Sequence, residues 1–412
     1  MIPRRRVGLV LGEGQLGVGG VRSVCEALSQ ELALAGADVE WLSLERSADV
    51  RAVRSIDAHE GAWPLRRVIA PPALTFDELD SAPRLESAVL AWCAARGVDL
   101  VHLQHLSGWG LGLPGRLARR AQPVVWTLHD YWPLCARGQL WHVDGQACER
   151  VDASVCGDCV ARTWPGLGDA AAARAFSGAR LERAVRAIEA CTRVLVPSAG
   201  ARDVWLRHGV APDRLEICGT PMRPALCAGA RRKLEHGDIR VGVLGSVQPS
   251  KGVLELARTI DELGAPFTLE VHGPREGYHG DRSYAQALEA LAARSERVEL
   301  FERFAPRELG ARLAGLDLVA VPSLWEEVFG LVAREAQAFG LPVFVSDRGG
   351  LVEAGAHVVA HGPRGWREAL ERFALDAEWR GRLSPVGGQG RPAVDVARLL
   401  LELEVRSASA RA

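Results

Sequence analysis

Two glutamates with seven residues between them, Glu327 and Glu335, are the sharpest chemical signal in this chain. A carboxylate accepts two hydrogen bonds at once, so such acids can hold a polar ligand. Lys251-Gly252 supplies one of only two lysines among 50 basic residues, the other being Lys233. An ammonium fixed in a turn suits an anionic group of a ligand. His129-Asp130 follows an apolar run in PVVWTLHDYW, and His105 lies near the end of LVHLQHL. A lone histidine is more often a satisfied core residue, whereas one at a strand end beside an acid and two aromatics is a site candidate. Four of the nine cysteines, Cys135, Cys148, Cys156 and Cys159, fall in one Gly/Asp-rich stretch that reads as loop and ends in a C-x-x-C pair. Four thiolates can hold a structural zinc ion. Only one such pair is present, so free thiols or a disulfide stay open as alternatives.

The elements that must position these groups follow from hydrophobic patterning. Short β-type runs at 7–11, 39–44, 100–103, 124–127, 194–196 and 215–217 alternate with helical stretches at 21–34, 85–96, 113–120 and 170–190. Such alternation implies a largely parallel sheet. Proline, glycine and charge replace the pattern over 219–237, which reads as a linker. A second alternation follows, with strands expected at 241–244, 267–271, 298–301 and 318–321 and helices at 253–263, 284–294 and 308–314. The two acids then bracket the start of a helix at 330–339, which is followed by a strand at 342–346 and a turn at Gly349-Gly350. In open α/β sheets, ligands gather at the carboxyl ends of strands and the helix N-termini after them. The stretch 391–404 reads as a final amphipathic helix.

At 412 residues the chain has room for two ordinary domains. Fifty basic and 51 acidic residues give a net charge of −1, which argues against an electrostatic grip on nucleic acid. No apolar run reaches membrane-spanning length, and the N-terminus reads as a first strand rather than a signal peptide. With an odd number of cysteines, these features point to a cytoplasmic, reducing compartment. They leave room for peripheral contact at the inner membrane face through an Arg-rich surface.

The string Pro322-Ser323, Glu327, Phe329-Gly330, Glu335-Ala336, Ala338, Gly340, Pro342-Val343 resembles the signature of the retaining GT-B glycosyltransferases, in particular family 4. Leu244 to Gly252 resembles that family's strand–loop–Lys-Gly element. The resemblance implies a GT-B fold: two Rossmann-like parallel α/β domains facing a cleft. The first, acceptor-side domain spans 1–218 and carries the cysteine-rich insert 135–159. After the 219–237 linker come a donor-binding domain over 238–385 and a segment, 386–412, crossing back to the first. It implies transfer of a sugar from a UDP- or GDP-sugar to a hydroxyl acceptor with retention. The acceptor would be a surface glycan, its lipid-linked precursor or a small natural product, and no cofactor is required.

By resemblance, Lys251 meets the pyrophosphate, Glu335 the ribose, and Glu327 and His129 the transferred sugar. Backbone amides of Phe329, Gly330, Leu331 and Val332 bind phosphate, and Ser246 and Gly273 border the nucleotide. Asp130, His105, Gly17, Gly19 and Gly20 lie on the acceptor and sugar side. Many family members carry an arginine where Ser246 stands, so one charge is missing here. That departure leaves open a GT-B protein that binds a sugar nucleotide without transferring it. A further alternative comes from Gly12, Gly14 and Gly17, a G-x-G-x-x-G pattern that, with Glu40 or Glu45 as ribose-binding acid, would suit an NAD(P)-dependent oxidoreductase.

Overall fold

The computed structural model describes residues 4–16, 20–222, 238–383 and 392–403. They form two α/β units. The first comprises Met1–Pro197, Arg202–Met222 and Arg391–Ala412, and the second Ser198–Ala201 and Arg223–Gly390. The linker positions 223–237, with Cys227 and Lys233, and the stretches 384–391 and 404–412 lie outside the described residues.

The first unit holds an eight-stranded sheet. Its strands are β1 (Arg6–Leu11), β2 (Asp38–Arg46), β3 (Arg54–Glu60), β4 (Trp63–Ala70), β5 (Leu100–Leu103), β6 (Val124–Thr127), β7 (Arg193–Val196) and β8 (Glu216–Ile217). They run in the order β3-β4-β2-β1-β5-β6-β7-β8, and only the β3–β4 pair is antiparallel. Val7, Leu9 and Leu11 pack on Cys25, Leu28 and Leu32 of the helix Gly20–Leu34. The helix Pro392–Glu402 adds Val396, Ala397 and Leu400 to the same core. Arg5 fastens that helix by donating to the Leu400 and Leu401 carbonyls at 2.6 and 2.7 Å.

The second unit holds six parallel strands: β9 (Ile239–Leu244), β10 (Phe267–His272), β11 (Val298–Phe301), β12 (Leu318–Val321), β13 (Val343–Ser346) and β14 (His357–Val359). Their order is β11-β10-β9-β12-β13-β14. All six residues of β10 are buried, because helices cover both faces of such a sheet.

The strands expected at 100–103, 124–127, 298–301 and 318–321 form with those bounds, as does the helix at 253–263. Three readings need correction, and one ribbon has no counterpart among them. The β3–β4 ribbon is not expected from the pattern, because β3 (RSIDAHE) is a largely exposed edge strand with no apolar alternation. The cysteine-rich stretch is not all loop: Asp152 caps a helix, Ala153–Thr163, by accepting from the Ser154 and Val155 amides. Gly349-Gly350 opens a 3₁₀ helix, Gly349–Ala354, rather than a simple turn. Residues 198–201 group with the second unit, since the Ser198 hydroxyl donates to the Val328 carbonyl at 2.7 Å and Glu353 accepts from the Ala199 and Gly200 amides.

Candidate active site

In the second unit, loops at the carboxyl ends of β9 and β12 bring Lys251 and Glu327 into contact. Lys251 ends the 3₁₀ turn Pro249–Lys251, and Gly252, at φ 65°, turns the chain into the helix Val253–Leu263. A Cβ on Gly252 would stand 2.1 Å from the Pro322 carbonyl oxygen, so only glycine lets the two loops close. The Leu324 amide donates to the Ser250 carbonyl at 2.8 Å and sews the loops together. The Lys251 ammonium then donates to Glu327 Oε1 at 2.5 Å and sits 5.0 Å from the centre of the Trp325 ring. The Ser323 hydroxyl donates to the same carboxylate oxygen at 2.7 Å. The Glu327 side chain is 10% exposed and that of Lys251 28%, so the pair is partly withdrawn from water yet reachable.

Behind Glu327 the backbone is clamped. The Gly350 amide donates to the Glu327 carbonyl at 2.6 Å, and a Cβ on Gly349 (φ 51°) would stand 2.3 Å from that same oxygen. Gly330, at φ 76°, precedes the helix Leu331–Phe339. The amides of Leu331 and Val332 therefore lie in its first turn, where intrahelical partners are lacking. Glu335 is half-buried on that helix. Ser246 is half-buried in the loop after β9, and that loop abuts Gly273, whose Cβ would stand 2.0 Å from the Gly245 carbonyl oxygen. Ser323 is a named position of the signature string, whereas Trp325 is a support that motif spacing does not single out.

In the first unit, polar side chains gather where β5 and β6 end, around a cavity lined by Gln104, His105, His129, Asp130 and Trp132. The Ser107 amide donates to His105 Nδ1 at 3.0 Å, which leaves the proton on Nε2. That proton points at Asp130 Oδ2, 3.0 Å away. Asp130 Oδ1 accepts from the Trp132 amide at 2.8 Å. His129 Nε2 lies 2.8 Å from the Gln104 amide oxygen and so carries the proton. Burial, reinforced by nearby His105, pushes His129 down to about 4, so it is neutral near pH 7. Gln104 is fully buried, and its Nε2 has no partner among the described residues. Sequence reasoning does not reach this residue; the polar alternation of His102 and Gln104 in an apolar strand is the available sign.

Gly12 packs against this cluster: a Cβ there would stand 2.8 Å from His105 Nδ1 and 2.4 Å from Ser107 Oγ. Packing thus accounts for this glycine without a dinucleotide. Glu40 accepts from the Trp92 indole at 3.2 Å and the Arg96 guanidinium at 3.1 Å, so it is already engaged. Gly20 starts the first helix, while Gly17 and Gly19 lie outside the described residues.

Cys135, Cys148, Cys156 and Cys159 are free thiols lining one cavity. Among the described residues, no group of three or more His, Cys, Asp or Glu is arranged to hold a metal ion as it stands. Burial pushes the Cys148 thiol up to about 12 and Cys156 to about 11, which keeps both protonated near neutrality.

Two parallel-sheet α/β units with polar groups at the strand ends define the GT-B class. Residues 18–226 match the family described as Glycosyltransferase Family 4, and residues 238–376 match Glycosyl transferases group 1. A D-inositol 3-phosphate glycosyltransferase of Nocardia farcinica is 31% identical over 90% of this chain and 79% of its own. Its namesake in Salinispora arenicola is 29% identical over 89% and 82%. Among solved structures, HepE of Anabaena with UDP and glucose superposes with a TM-score of 0.63 at 15% identity, covering 96% of this chain and 95% of that one. A sucrose-phosphate synthase from Thermosynechococcus elongatus gives 0.62 at 20% identity, with the same coverage. The chain belongs to glycosyltransferase family 4. It is an enzyme of sugar transfer from a nucleotide-activated donor, and the oxidoreductase alternative is set aside.

Proposed function

We propose that this protein transfers a hexose from a UDP-sugar to an acceptor hydroxyl with retention of anomeric configuration. The contact between Lys251 and Glu327 carries the reading, because it unites a cation suited to a departing diphosphate with an acid suited to sugar hydroxyls. On donor binding, Lys251 turns from Glu327 to the pyrophosphate and Glu327 is released to the sugar. The ammonium then stabilises the transition state more than the ground state, since charge accumulates on the phosphate as the anomeric bond breaks. The amides of Phe329 to Val332 add a helix-terminus anion site, Glu335 accepts from the ribose hydroxyls, and Ser246 and Gly273 border the nucleotide. The acceptor attacks from the face the phosphate leaves, and the phosphate takes its proton, so no covalent nucleophile is assigned.

His129, held neutral with its proton on Nε2, offers Nδ1 as an acceptor to a sugar hydroxyl, while His105, Asp130 and Gly20 serve the acceptor side. UDP is chosen over GDP because HepE, a fold neighbour, is described with UDP and UDP-glucose. The relatives named for inositol 3-phosphate make a phosphorylated polyol the first acceptor to try, ahead of a glycan precursor. No described helix is long and apolar enough to cross a membrane. Peripheral contact through an Arg-rich face is tested by co-sedimentation with anionic vesicles.

The test is turnover of UDP- and GDP-sugars against a panel of acceptors, with the product's anomeric configuration read by NMR. An α-linked product from an α-linked UDP-sugar supports the reading, and an inverted product sinks it. A second reading rests on Ser246, which leaves the donor loop without the usual arginine: a protein that binds the donor and does not transfer. Tight donor binding with no turnover on any acceptor would favour it.

A further inference from the structure

The four clustered cysteines take no part in the proposed transfer, yet the fold gathers them from three separate segments. Cys135 opens a tight turn closed by the Gly138 amide donating to its carbonyl at 2.7 Å. Cys148 follows a small hairpin in which Trp141 bridges Ala147 and the Cys148 amide donates to the Leu140 carbonyl at 2.7 Å. Cys156 and Cys159 stand three apart on the helix Ala153–Thr163, and therefore on one face of it. All four line the same cavity, together with Arg137 and His142. Four thiols from three segments thus converge on one small cavity, the donor set that a tetrahedral sulfur site requires.

We propose that Cys135, Cys148, Cys156 and Cys159 form a structural binding site for a single thiophilic divalent cation, zinc being the occupant. Each thiol gives up its proton to solvent, four in all, and four thiolates surround the ion at about 2.3 Å. The thiols as they stand do not close around a common centre, so binding requires side-chain rotation within the cavity. The resulting net charge of minus two is offset in part by Arg137, which is 8% exposed and anchored on the Trp141 carbonyl and the Thr163 hydroxyl. Full coordination by sulfur leaves no open position, so the ion staples the 128–163 segment and does no chemistry.

The experiment takes the full chain purified without chelator from zinc-supplemented cells and measures metal content and free thiols under denaturing conditions. The expected result is about one zinc ion per chain, falling about tenfold or more in the Cys156→Ser, Cys159→Ser double variant. Cobalt exchanged into the wild type should give a thiolate-to-metal charge-transfer band, which keeps the test valid if that variant fails to fold. Wild-type protein with neither zinc nor a cobalt band, or with an intact mass showing disulfides among these four, overturns the proposal. Because these readouts ask nothing of sugar transfer, they succeed or fail independently of the proposed function.

Discussion

At the residue scale, the Lys251–Glu327 contact makes the sharpest demands. Lys251→Ala should lower kcat/KM by about 10²–10³-fold, the cost of removing one preorganised group that meets developing charge. Glu327→Ala should lower it comparably, and both variants should keep the wild-type circular dichroism. Near-full activity in either removes that residue from the mechanism. Trp325, buried under the Lys251 ammonium, should act by positioning it. Trp325→Leu removes a cation–π contact of about 0.5–2 kcal/mol. It should raise the donor KM several-fold while leaving the retained configuration of the product unchanged. In the first unit, burial pushes fully buried His102 from its ordinary 6.5 down to about 3. A lowered histidine pKa means that the unfolded chain binds the extra proton first. Its contribution to stability is therefore present above pH 6.5 and is lost as pH falls from 6.5 towards 3. Urea unfolding followed across that range should fall less steeply in His102→Gln than in the wild type. The relief should approach roughly 1.4 kcal/mol per pH unit for this one group.

At the element scale, the loops that carry the site depend on glycines that admit no side chain. Gly349→Ala would force a Cβ to 2.3 Å from the Glu327 carbonyl oxygen, at a φ of 51°. The expected outcome is a loss of about 1 kcal/mol or more in stability together with a larger loss in kcat, since the displaced segment carries Glu327. Melting curves and steady-state kinetics on one preparation separate the two effects. The elements also differ in how far their sequence reveals them. Central strands such as β6 and β13 are legible because they are buried on both faces and read as short apolar runs, VVWT and VFVS. The β3 strand is not, because an edge strand facing solvent needs no apolar face. Lys251, Glu327 and the paired glycines are legible from motif spacing. Trp325 as a support of Lys251, and Gln104 as the partner of His129, require knowing which strand ends become neighbours.

At the scale of the whole molecule, the helix Pro392–Glu402 is separated from most of the first unit by the entire second unit in sequence, yet it belongs to the first unit's core. Leu400 is fully buried there, so Leu400→Ala should cost about 2–5 kcal/mol, read as a lowered melting midpoint. The second unit, which carries the proposed donor site, should keep its affinity for UDP in that variant. The central claim concerns that affinity, and thermal shift with UDP, GDP, ADP, their sugar conjugates, NAD and NADP tests it most directly. A ligand that binds only the folded state adds about 2.7 kcal/mol at a hundredfold excess over its Kd. A clear rise with UDP and a UDP-sugar, and none with NAD or NADP, is the predicted result. A rise with NAD or NADP alone would contradict the account and return attention to the glycine loop after β1.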